Sequence, residues 1–277
     1  MGWHASEMHV PARDGTPIAV HDLGGDGPPL LLAHATGFHG QMWTDFADLL
    51  ARKFRLWSFD ARGHGDSGKS DDMTWKTMGT DVLDVLDALG LDQPFGFGHS
   101  LGGALLVIAE TARAGTFRHL YLFEPAIIPP MSRRNMEAVG GTLKRRRSFP
   151  TRKHAFENYA GKPPLDELSD SALWAYVEHG FVDQPDGTVT LACTPEDEAA
   201  TFAEAGARTA WNAMDAVTCP VTLARGTGPA AASPGHIDSQ AEHLRAEVAV
   251  FDGLGHFGPL AEPDAIAESV VETFLSR

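Results

Sequence analysis

Phe95-Gly96-Phe97-Gly98-His99-Ser100-Leu101-Gly102-Gly103 is the stretch on which the reading of this chain turns. An apolar segment, Pro94 to Gly98, runs into the serine, and another, Leu101 to Ala114, follows it. The first has the length of a buried strand and the second that of a helix, so Ser100 sits on a strand-to-helix turn. Gly98 and Gly102 flank the serine where a sharp turn brings the backbone too close to its surroundings for a Cβ. The turn exposes Ser100 Oγ and sets it at a helix N-terminus, whose partial positive charge favours a developing oxyanion. These features mark Ser100 as a candidate nucleophile. An incidental serine in a glycine-rich turn requires neither the strand nor the helix.

Outward from that turn, short apolar runs alternate with amphipathic stretches. Met8 to Ala12 and Ile18 to Asp22, separated by Asp14-Gly15, predict a β-hairpin. Leu30 to Ala33, Phe54 to Phe59 and His119 to Phe123 predict strands, while Met42 to Lys53 and Val82 to Leu89 have helical spacing, the latter stopped by Gly90. The alternation lapses from about Ile127 to Met214. It resumes with strands at Val221 to Arg225 and Val248 to Phe251 and helices at Ile237 to Arg245 and Ala265 to Ser276. Strand–helix alternation implies a mostly parallel sheet with helices on both faces. The interruption predicts a mostly helical insertion, with helices at Ala172 to His179 and Glu196 to Trp211. The expected organisation is an α/β core from residues 1–126 and 215–277, with 127–214 as a helical cap.

Hydrophobic residues are 43% and charged residues 21% of the 277, an ordinary balance for a globular chain. A formal net charge of -15 argues against nucleic acid and anionic membranes as partners, and a neutral or apolar small-molecule substrate fits such a surface more easily than a large polyanion does. One region departs from that acidity: Arg133, Arg134, Lys144, Arg145, Arg146, Arg147, Arg152 and Lys153 cluster in the insertion. Two readings stand, a solvated face of cap helices or a basic rim for a carboxylate-bearing substrate. The two cysteines, Cys193 and Cys219, have no metal-ligand spacing and read as free thiols suited to a reducing compartment. The start, MGWHASEMHV, has no secretory pattern, and no apolar run has the length of a membrane span, so a cytoplasmic location is expected. Gly2 with Ser6 matches a myristoylation pattern that is short enough to arise by chance. Trp174, Phe181, Phe202 and Trp211 are candidates to line an apolar pocket under the cap, or simply core.

A serine nucleophile needs a base. His256, in Gly253-Leu254-Gly255-His256-Phe257 after the last predicted strand, lies where a short loop reaches the carboxyl edge of the sheet. His99 adjoins the serine, but neighbours on a tight turn point apart, so it is expected to pack or hydrogen-bond locally. His34 is expected to brace a loop.

At this point the chain resembles the α/β-hydrolase superfamily over nearly its whole length. The resemblance rests on His34-Ala35-Thr36-Gly37, Asp60-Ala61-Arg62-Gly63-His64-Gly65-Asp66-Ser67-Gly68, Gly98-His99-Ser100-Leu101-Gly102 and Gly255-His256. It implies an α/β-hydrolase fold with a catalytic Ser100 and His256, and an oxyanion hole formed by the N–H groups of Thr36 and Leu101. Asp60 and Asp66 fall in a stretch that relatives use for loop structure. The common position for the third catalytic member, after the seventh strand, reads Gly226-Thr227-Gly228-Pro229-Ala230-Ala231-Ala232 and holds no carboxylate. Some relatives take their acid from the end of the sixth strand. Glu124, in Phe123-Glu124-Pro125, occupies that place, with Asp238 as the alternative. The implied activity is carboxylic ester hydrolysis through an acyl-enzyme. Lactone opening is the runner-up, followed by carbon–carbon hydrolysis and perhydrolysis, and a slow-turnover receptor on the same fold is the non-enzymatic alternative. No metal or organic cofactor is expected, and the oligomeric state is left open.

Overall fold

Period-two alternation in the apolar runs decides which side chains face which helix layer. A computed structural model of the chain describes residues 7–128, 139–228 and 230–276. Gly2 and Ser6, Arg133 and Arg134 of the basic cluster, and Pro229 lie outside the described residues. Strands β1 (Glu7–Pro11) and β2 (Pro17–Gly24) form the expected antiparallel hairpin. They are followed by β3 (Pro29–Ala33), β4 (Arg55–Phe59), β5 (Phe95–His99) and β6 (His119–Phe123). Within β3, Leu30 and Leu32 pack on one face with helix α1 (Thr44–Leu50), whereas Leu31 and Ala33 pack on the other with α2 (Trp75–Leu89) and α3 (Leu101–Ala112). Helix α2 starts at an N-cap, Thr74, whose side chain accepts from Thr77 N–H, and it ends at Gly90 in the left-handed region, φ 64°.

Beyond β6 the described residues hold β7 (Ser148–Phe149), α4 (Arg152–Ala160), α5 (Asp170–His179), β8 (Phe181–Asp183), β9 (Val189–Leu191), α6 (Pro195–Glu204) and α7 (Thr209–Ala213). The main sheet then resumes with β10 (Val221–Gly226), helix α8 (Pro234–Leu244), β11 (Glu247–Phe251) and the closing helices α9 (Gly258–Ala261) and α10 (Pro263–Leu275). The eight-stranded sheet has the order β1-β2-β4-β3-β5-β6-β10-β11. It is parallel from β4 to β11, with β2 antiparallel to both of its neighbours.

Three expectations change. The insertion carries a small antiparallel sheet, β7-β9-β8, besides its helices. Strands of two or three residues are too short to show a period, and the one cue was the Asp186-Gly187 turn between β8 and β9, with Gly187 at φ 84°. The single helix expected over Glu196 to Trp211 is two, because Arg208 takes a left-handed φ of 62° between α6 and α7. The helix expected over Met42 to Lys53 is a 3-10 turn, Gly40–Met42, followed by the shorter α1. Among the described residues no helix is long and apolar enough to cross a membrane.

Candidate active site

The parallel strands end on one edge, and their loops bring the candidate residues together. Gly98 and Gly102 bear out the steric argument for the turn. A Cβ on Gly98 would lie 2.6 Å from Gly103 Cα, and one on Gly102 would lie 2.1 Å from Ala33 O. Ser100 between them has φ 53° and ψ -114°, a strained conformation for a residue with a side chain. Its N–H donates to Phe123 O at 3.1 Å and its carbonyl accepts from Ala126 N–H at 2.8 Å, which fixes Ser100 beside the segment holding Glu124. Leu101 is the first residue of α3, so its N–H has no intrahelical acceptor. Gly102 N–H donates to His34 O at 3.0 Å, which ties the Thr36 loop to the start of that helix.

Glu124 is buried, follows β6 directly and also has a positive φ, 42°. Its Oε2 accepts from His256 Nδ1 at 2.8 Å. Backbone amides of the loop after β10 complete its seat: Gly226 N–H donates to Oε1 at 3.0 Å and Ala232 N–H to Oε2 at 2.9 Å. The loop with no carboxylate of its own thus holds the carboxylate that comes from β6. With Nδ1–H committed to Glu124, the lone pair of the neutral imidazole resides on Nε2. Asp238, the alternative acid, is exposed on α8.

The other histidines near this edge have separate tasks. His99 Nε2 donates to the backbone carbonyl of His256 at 2.8 Å, a link across 157 residues rather than the local contact expected. Burial, with the nearby His256 as a second cause, holds its pKa well below the usual value, so it stays neutral. His34 Nε2 accepts from Ala61 N–H at 2.9 Å, so its Nδ1–H donates to Ala35 O at 2.8 Å, joining the loops after β3 and β4. Burial, then the charge of His64, pulls its pKa down to about 3. Asp60 accepts from Gly40 N–H at 2.6 Å, Asp66 N–H at 2.8 Å and His21 Nε2 at 3.1 Å. Burial pushes its pKa up, but the hydrogen bond and charge of His21 outweigh that and hold it low. Its contacts are those of a loop anchor.

A cavity of about 730 Å³ opens against this edge. Its walls include Thr36, the candidate oxyanion donor, with Gly37, Phe38 and Phe257, the neighbour of His256, while Ser100 and His256 themselves are not wall residues. Of the four aromatic residues expected there only Phe202 lines it. Trp174 is exposed beside Phe156, Phe181 packs among Phe149, Tyr159 and Tyr176, and Trp211 sits on His243. Helical spacing did not distinguish these places from a pocket wall. The sequence also gave no sign that Arg145 would pair with Glu198 and donate to Tyr176 Oη at 2.6 Å in the cavity wall. Cys193 and Cys219 are free thiols, and burial pushes both pKa values up, that of Cys219 to about 12.

Comparison with known proteins agrees with the fold. The model of the alpha/beta hydrolase family covers residues 30–269. Over 102 residues the chain is 32% identical to 3-oxoadipate enol-lactonase 1 of Acinetobacter baylyi, covering 35% of this chain and 38% of that protein. Over 100 residues it is 38% identical to protein phosphatase methylesterase 1 of Mus musculus, covering 34% of this chain and 26% of the relative. The chain therefore matches well under half the length of these curated relatives. Among solved structures, E-2-(acetamidomethylene)succinate hydrolase superposes with a TM-score of 0.86 at 20% identity, covering 99% of this chain and 100% of that one. An esterase from Exiguobacterium antarcticum superposes with a TM-score of 0.76 at 17% identity, covering 96% and 98%. With its strand order, its serine turn and a family match over most of its length, the chain belongs to the alpha/beta hydrolase family.

Proposed function

We propose that this chain is a serine hydrolase that cleaves carboxylic esters through an acyl-enzyme intermediate. Ser100 Oγ attacks the carbonyl carbon while His256 Nε2 takes the hydroxyl proton, and Glu124 orients the ring and stabilises the imidazolium. The oxyanion accepts from the N–H groups of Thr36 and Leu101, each such donor typically worth about 3 kcal/mol. The imidazolium returns its proton to the leaving alcohol. A water then attacks the acyl-enzyme carbonyl, giving its proton to His256, and Ser100 is released with the acid. No step calls on a metal or an organic cofactor.

The observation that carries this reading is the 2.8 Å contact between His256 Nδ1 and a buried carboxylate seated by two backbone amides. A carboxylate so held is ordered to orient an imidazole. The test is a hydrolysis panel of aryl esters, alkyl esters and lactones with wild type and Ser100→Ala. Ester turnover that falls by about 10³-fold or more in the variant is expected. Retention of more than a few per cent of it, or a single burst without turnover in wild type, overturns the reading. Lactone opening is the second reading, favoured by the likeness to an enol-lactonase and by the acid on the sixth strand, and the same panel separates it from the first.

A further inference from the structure

The cavity wall reverses the charge of the molecule around it. In a chain of net charge -15, the charged residues that line it among the described residues are Lys144, Arg145, Arg146, Lys162 and one carboxylate, Glu198. That carboxylate is already spent on Arg145. Burial opposes the charge on Arg145, but the neighbouring Tyr176 and Glu198 outweigh it and keep the guanidinium protonated. The remaining three cations have no acidic partner among the described residues. Arg146 donates through Nε to Ser148 O at 2.8 Å and lies over the Phe149 ring, which leaves its terminal nitrogens uncommitted there. Lys162 meets a neutral acceptor, Asn158 Oδ1, at 2.6 Å. Lys144 is exposed to solvent. The same cavity is lined by Thr36, the candidate oxyanion donor, with Gly37 and Phe38. Phe202, Leu165 and Tyr159 also line it.

Resting on the ester-hydrolase reading, we propose that the preferred substrate is an anionic ester whose remote end carries a carboxylate, held by Lys144, Arg146 and Lys162. All three side chains are exposed to solvent, and their clustered charge raises the local potential that draws in an anion despite the acidity of the chain as a whole. A cavity of about 730 Å³ also falls in the range of small-ligand sites.

Monomethyl adipate and methyl hexanoate make a matched pair, alike except that a terminal carboxylate replaces a methyl group. In wild type at low ionic strength, kcat/KM for the half-ester exceeds that for the neutral ester tenfold or more, and the ratio shrinks as salt is added. In Lys144→Glu/Arg146→Glu the ratio drops at least tenfold. Because it is read within one protein sample, partial loss of folded enzyme cancels. A wild-type ratio at or below one, or a ratio that the double variant leaves unchanged, overturns the proposal. If neither ester is turned over, the Ser100 reading fails instead. Titration calorimetry with adipate then still decides the site: binding lost in the double variant supports it, and equal or absent binding overturns it.

Discussion

Two buried carboxylates lie at the same edge of the sheet, Asp60 after β4 and Glu124 after β6, and they are placed for different work. Asp60 is closed in by Gly40 N–H, Asp66 N–H and a His21 side chain with no exposure. Glu124 is seated just as firmly by two amides, but its imidazole partner has a side chain that is 27% exposed. Asp60 fastens one loop to another, whereas Glu124 meets a ring that is partly open to solvent, as the proposed orienting role requires. The role follows from the exposure of the partner, not from the carboxylate itself.

That contrast can be broken experimentally. Glu124→Ala is expected to lower kcat by about 10³–10⁴-fold, the scale seen when a catalytic imidazole loses its orienting acid, and to do so nearly as severely as His256→Ala. A mild effect would place the two carboxylates in the same structural class. Asp60→Ala should act on stability, costing about 3–5 kcal/mol through the buried partners it strands, as read by denaturant unfolding. A large loss of kcat per folded molecule with unchanged stability would invert the comparison.

The pH dependence of stability sharpens the same distinction. His34 and His39 are buried and neutral, their pKa values drawn by burial down to about 3 and about 4 from an unfolded value of 6.5. Between those limits the unfolded chain binds protons that the folded chain refuses, so stability is complete above pH 6.5 and is lost as pH falls. Each histidine contributes a slope of about 1.4 kcal/mol per pH unit in that window. Thermal unfolding followed from pH 7.5 to pH 5 should show a falling midpoint, and a flat profile would contradict the neutral assignments. The smallest effect is expected for Asp238→Ala, whose exposed carboxylate lies on α8 away from this network. Its kcat/KM should remain within about twofold of wild type, by the usual mildness of exposed substitutions.

The strand-to-helix turn at Ser100 and the strands of the sheet were legible because they rest on local rules. Gly98 and Gly102 are demanded by contacts under 3 Å, and strand alternation is visible in runs such as Leu30 to Ala33. The pairing of Glu124 with His256 could be anticipated from the place of Glu124 at a strand end together with the empty seventh-strand position. The amides of Gly226 and Ala232 that hold the carboxylate could not, because a backbone N–H leaves no mark in a sequence. The cap read poorly for a related reason. Arg145 and Glu198 are 53 residues apart, and whether a cationic side chain is solvated or paired depends on a fold that no local period encodes. The same holds for Trp174, Phe181 and Trp211, whose spacing is equally compatible with surface, core and pocket wall.

The seat made by Gly226 and Ala232 also has a use in protein engineering. Since the acid is gripped there through peptide nitrogens alone, the side chain of Ala231 takes no part in the grip. Exchanging this partly exposed side chain for bulkier groups would alter the surface of that loop without touching the two amides that hold Glu124, provided that the path of the main chain is kept.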